Sequence, residues 1–148
     1  MWSLHGPLVY RALTTLQAKG LADVVGAERS EVGPQRTLVT ATQAGKDALL
    51  AWQWLPVEHL RDFRSLLMLK LALLDRAGEE PGALLAAQRD RVQPIVAALE
   101  VQAEASDGFD RTLATWRLES ARAAVRFLDG LTAGDRAVTP RGAAPLAP

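Results

Sequence analysis

Residues 7–26 read PLVYRALTTLQAKGLADVVG, and a change of period inside this stretch decides the fold. Over residues 7–19 the apolar side chains Val9, Leu13 and Leu16 recur at steps of four and three, which places them on one face of an α-helix. Pro7 suits the first helical position, where the missing N–H has no partner to lose. Gly20 stands where a left-handed residue ends a helix, and Leu21 behind it closes an apolar cap. The stretch 21–26 then brings the β-branched pair Val24-Val25, and 36–41 brings Thr37, Val39 and Thr40, so both read as short strands. Between them lies GAERSEVGPQ, with glycine at one end and Gly33-Pro34 near the other, a long hairpin loop. A helix followed by a β-hairpin is the outline of a wing.

Working outward, Thr42 is expected to cap a helix over 44–54, which Leu55-Pro56 stops because the residue before proline avoids helical backbone. Residues 57–77 are apolar over a wide face that includes Leu60, Phe63, Leu67, Leu71 and Leu74, the mark of a helix buried on more than one side. Gly78 closes it. A long helix is expected over 81–106, with Pro94 kinking or breaking it. The last helix, 109–131, carries Phe109, Leu113, Trp116, Ser120, Ala123, Phe127 and Leu131 in alternating steps of four and three, a heptad seam with small residues at its middle. Beyond 132 the Ala/Gly/Pro-rich tail reads as disordered.

The fold expected is therefore mainly α with a small β-hairpin wing. A partial winged helix-turn-helix occupies 1–55, a helical dimerisation region 56–131, and a tail 132–148.

Composition narrows the functions. Of 148 residues, 49% are hydrophobic and 23% charged, a globular balance rather than a disordered one. The absence of cysteine excludes disulfides, thiolate metal sites and thiol nucleophiles. The two histidines, His5 and His59, stand on unrelated segments, so no metal site is read, and no cofactor. No Gly-x-Ser-x-Gly, phosphate-cradling glycine loop or acid/base pair on one face is found, and no enzyme is expected. No basic segment leads into an apolar run near Met1, and the apolar stretch 66–74 is interrupted by Lys70. A cytoplasmic protein with no membrane partner is the expectation. The formal net charge is zero, with five basic and four acidic residues in 1–55, and ten against twelve in 56–131. Charge alone does not point to DNA.

The order of motifs does. Trp2-Ser3-Leu4-His5-Gly6-Pro7-Leu8-Val9-Tyr10-Arg11-Ala12-Leu13, continuing to Lys19-Gly20-Leu21, resembles the recognition-helix signature of PadR-like transcriptional regulators. The run Leu38-Val39-Thr40-Ala41-Thr42-Gln43-Ala44-Gly45 resembles that family's exit from the wing. Pro56-Val57-Glu58-His59-Leu60-Arg61-Asp62-Phe63 and Leu67-Met68-Leu69-Lys70-Leu71 resemble its C-terminal, virulence-activator-like helical region. The two helices that precede the recognition helix in the family pattern have no counterpart in these residues. Leu8 stands where a small polar residue is usual, and Thr14-Thr15 where basic residues are common.

The resemblance implies a dimeric repressor that reads double-stranded operator DNA. The residues expected at DNA are His5, Tyr10, Arg11 and Thr14 on the helix and Arg36 at the wing. Each has a plainer alternative: Tyr10 packs beside a neighbouring helix, Arg11 is solvated, and Arg36 pairs with Glu28 or Glu31. Trp52, Trp54 and Trp116 are candidates to line a pocket for a small aromatic effector, or else serve as core and interface anchors. Phe109, Leu113, Trp116 and Phe127 are the expected homodimer interface. The competing reading is a helical, dimeric interaction protein that does not read DNA.

Overall fold

The computed structural model describes the backbone of residues 6–28 and 36–135 and the side chains of 8–28 and 37–133. In chain order its elements are α1 (Gly6–Ala18), β1 (Ala22–Glu28), β2 (Arg36–Ala41) and α2 (Gln43–Trp54). A 3-10 turn (Leu60–Asp62) and a π-helical turn (Phe63–Leu67) then run into α3 (Met68–Ala77), followed by α4 (Gly82–Ala105) and α5 (Gly108–Asp135). The fold class read from the sequence, mainly α with one small antiparallel hairpin, is the one observed. The chain divides into two compact units, Met1–Gln53 and Trp54–Pro148.

In the first unit, α1 ends as its sequence dictates. Gly20 takes φ +67°, its N–H donates to the Gln17 carbonyl at 2.9 Å, and the Leu21 N–H donates to the Leu16 carbonyl at 2.9 Å. That pair of bonds satisfies carbonyls that the helix end leaves open. The hairpin pairs Ala22 with Ala41 through Glu28 with Arg36, and a register shift between Val24 and Gly26 leaves Val25 bulged out.

Thr42 ties helix, hairpin and α2 together. Its hydroxyl donates to the Gly20 carbonyl at 2.7 Å and accepts from the Gly45 N–H at 3.0 Å, while its own N–H donates to the Leu21 carbonyl at 3.1 Å. The first turn of α2 thereby presses on the chain leaving α1. A Cβ at Gly45 would lie 2.9 Å from the Leu21 carbonyl carbon and closer still to its oxygen, so only glycine fits.

The apolar stripe of α1 departs from expectation. Val9 is 39% and Leu16 40% exposed, with Leu13 half-buried. Ala22 is the buried apolar residue of this unit among those described. The described residues of the unit lay no second layer across the stripe.

The core sits in the second unit, where Val57, Leu67, Leu74, Leu84, Leu85 and Leu128 cluster, flanked by Trp54, Phe63, Leu71 and Leu131. Pro56 keeps the chain before Leu60 out of a helix, so the buried Val57 has no helical partner for its backbone. Gln88, itself buried, supplies both bonds: its Oε1 accepts from the Val57 N–H at 2.7 Å and its Nε2 donates to the Val57 carbonyl at 3.1 Å. Lys70 does the same for Leu55, donating from Nζ to its carbonyl at 2.6 Å, and burial pulls its ammonium below the ordinary lysine pKa.

Three boundaries differ from the sequence reading. The broad apolar segment after Pro56 is not one plain helix. It starts at Leu60 with a tight turn and widens at Phe63–Leu67, where the Met68 N–H reaches the Phe63 carbonyl five residues back. Pro94 does not end α4, which continues to Ala105. Pro94 and Asp90 are both exposed, so water can solvate the Asp90 carbonyl that the proline leaves without a donor. Finally, α5 runs past 131 to Asp135, because no proline lies between Pro94 and Pro140 and the Thr132 hydroxyl donates to the Leu128 carbonyl at 3.0 Å. Residues 136–148 of the expected tail lie outside the described residues.

Two substitutions test this frame. Gln88→Leu keeps the volume but leaves the Val57 N–H and carbonyl buried without partners, and should cost about 1–3 kcal/mol in urea unfolding at unchanged slope. Gly45→Ala forces a backbone shift against Leu21 and should cost about 1–3 kcal/mol. An unaltered midpoint in either variant contradicts the corresponding contact.

Candidate nucleic-acid face and apolar groove

Tyr10, Arg11 and Thr14 come together on one side of α1, since positions i, i+1 and i+4 fall within about 100° of arc. Tyr10 is 73% exposed, and Arg11 has no ion pair among the described residues. The Thr14 hydroxyl donates to the Tyr10 carbonyl at 3.0 Å, which spends its proton inside the helix and leaves it an acceptor. Thr15 makes the matching bond to the Arg11 carbonyl at 2.9 Å. Arg36 lies in β2 opposite Glu28 by register, but its side chain is outside the described residues, as are His5, Glu31 and the loop 29–35.

Trp54 packs on the core cluster and Trp52 is half-buried on α2. Trp116, 69% exposed, walls an open groove of about 830 Å³ within the second unit. The 60–68 segment contributes Phe63 and Met68 to this groove, α4 contributes Ile95 and Leu99, and α5 contributes Trp116 and Phe127. Its charged lining residues are Arg61, Arg64 and Arg117. Sequence reasoning missed these arginines. Their only trace is the i, i+3 pair Arg61 and Arg64 beside a broad apolar face, and Arg117 came from a helix read for its seam alone.

Helix α5 has two apolar faces. Ala114, Leu118, Ala121 and Leu128 are buried, with α4 packed along the helix. Phe109, Leu113, Trp116 and Phe127, the seam read from the sequence, are 79%, 36%, 69% and 40% exposed. Counting about 100° per residue, Trp116 stands about 140° around the helix from Ala121. Among the described residues, these four side chains therefore lie off the face that α5 packs on α4.

Among the described residues, no cluster of three or more His, Asp or Glu is placed to hold a metal, and no helix is long and apolar enough to cross a membrane.

No family model matches the chain, and no curated protein matches it. Among solved structures it is similar to the Bacillus subtilis PadR in complex with operator DNA, at 19% identity and a TM-score of 0.40, over 89% of this chain and 81% of that one. A likeness of that size assigns no function.

Proposed function

We propose that this chain is a DNA-binding transcription regulator of the PadR-like kind, a repressor that works as a homodimer. The observation that carries the reading is the exposed Tyr10–Arg11–Thr14 face on a helix that leads straight into an antiparallel hairpin. A helix of this kind fits the major groove, where a guanidinium forks onto guanine and a phenol donates to phosphate. Arg36, at the loop end of the hairpin, is assigned a phosphate contact.

The outer face of α5 supports the dimer. Phe109 and Trp116 are large and exposed, and a stripe of that size is unusual on a monomer. Two-fold pairing would set two α1 helices against half-sites about 34 Å apart. One observation favours the competing interaction-protein reading, namely a net charge of zero together with the exposed Val9 and Leu16 on α1.

Anisotropy titrations with DNA from the chain's own promoter region decide between the two. Arg11→Ala should weaken binding by about 1–3 kcal/mol and relax base preference at one position per half-site. Arg36→Ala should weaken specific and random DNA alike and lower the salt slope by about one unit. Undiminished binding by Arg11→Ala refutes the assigned face, and absence of DNA binding by the wild type favours the interaction protein.

Light scattering tests the dimer separately. The wild type should be dimeric at micromolar concentration and Trp116→Glu monomeric or insoluble. A monomeric wild type sinks the self-association surface.

A further inference from the structure

We infer that the groove between the 60–68 segment, α4 and α5 binds a long-chain fatty acid as its anion. The binding claim stands on the groove alone; its regulatory consequence rests on the DNA-binding reading above.

Charge selects the class of ligand. In a chain with equal numbers of acidic and basic residues, every charged side chain that lines the groove among the described residues is an arginine, and none of them is a carboxylate. Elsewhere in the same unit, Arg89 pairs with Asp129 at 2.6 Å, and Arg122 with Glu100 and Glu119 at 2.8 Å each. Arg64 and Arg117 have no carboxylate within ion-pair distance among the described residues. Arg61 comes no closer than 4.0 Å to its neighbour Asp62, with its side chain 80% exposed. These guanidiniums are therefore open to a carboxylate from outside, which they bind through charge-assisted hydrogen bonds. They repel an amphiphilic cation.

Shape selects the body of the ligand. A volume of about 830 Å³ is that of a ligand site. Along α5 the wall runs from Trp116 to Phe127, about 16 Å at the helical rise per residue. That length exceeds a single aromatic ring several times over and suits an extended acyl chain. Phe63, Met68, Ile95 and Leu99 supply apolar area opposite, and Met68 adapts to irregular contours. The widened backbone turn at Phe63–Leu67 presents Phe63 and Arg64 to the groove together.

A second copy of the chain is not the occupant argued for here, because Phe109 and Leu113, half of the exposed seam, do not line the groove. Groove and seam share Trp116, Ser120 and Phe127. A bound acyl chain would thus touch the self-association surface at these shared residues, which is how occupancy would reach the regulator's dimer.

Equilibrium dialysis of the full 148-residue chain tests the inference, with dodecanoate, dodecan-1-ol and cinnamate as probes below micellar concentrations. Dodecanoate should bind saturably at one site per chain, and dodecan-1-ol about tenfold more weakly or less. The double variant Arg64→Gln/Arg117→Gln, both changes at the surface, should weaken dodecanoate by about tenfold, leave dodecan-1-ol unchanged and keep the circular dichroism of the wild type. Equal binding of acid and alcohol, an unaffected double variant, or cinnamate binding more tightly than dodecanoate would each overturn the assignment. A chain that binds dodecanoate but no DNA refutes the regulator reading alone, whereas one that binds DNA but no dodecanoate refutes this inference alone.

Discussion

The second unit depends on the clasp between Gln88 and the backbone of Val57. The chain from Leu55 to His59 forms no helix or strand, yet Val57 lies in the core, where an unpaired N–H or carbonyl costs on the order of 1–3 kcal/mol. A glutamine amide is the one neutral side chain, along with asparagine, that offers a donor and an acceptor side by side. Placed mid-helix on α4, among Leu84, Leu85 and Val92, it meets both needs and fixes the depth at which α4 sits on the core. Lys70 holds the Leu55 carbonyl from α3 in the same manner. Together they turn a proline-broken connection into a rigid start for the unit.

With α4 set, α5 has one face to give to it. Small and medium residues, Ala114, Leu118 and Ala121, take that face and allow close packing, while Leu128 reaches the core cluster. The aromatic residues are left on the far side. The exposed seam and the arginine-rimmed groove follow from this choice of inner face, because α5 buries alanines and leucines and displays its aromatic residues. The pairs Arg89–Asp129 and Arg122–Glu100 pin the helices at two levels, but they are half-exposed, so packing carries the stability.

The first unit is built differently. Its order comes from polar and backbone contacts at one point, where Thr42 and Gly45 meet Gly20 and Leu21, with little apolar burial behind them. This arrangement sets α1 beside the hairpin, with Tyr10 and Arg11 exposed.

The sequence by itself determined the local elements. The left-handed glycine after α1, the threonine cap of α2 and the two short strands are legible because each rests on a residue's own backbone preferences or on periods of two and 3.6. The clustering of Tyr10, Arg11 and Thr14 was legible for the same reason, being a matter of spacing on one helix. Tertiary structure alone decided which of the two apolar faces of α5 turns inward, since both satisfy helical periodicity and only the fit of Ala114 and Ala121 against α4 separates them. It also decided the partners of Gln88 and Lys70, which lie 31 and 15 residues away from their targets. The gathering of Arg61, Arg64 and Arg117 around one groove is of this kind too, because no periodicity records which side chains meet across three separate segments.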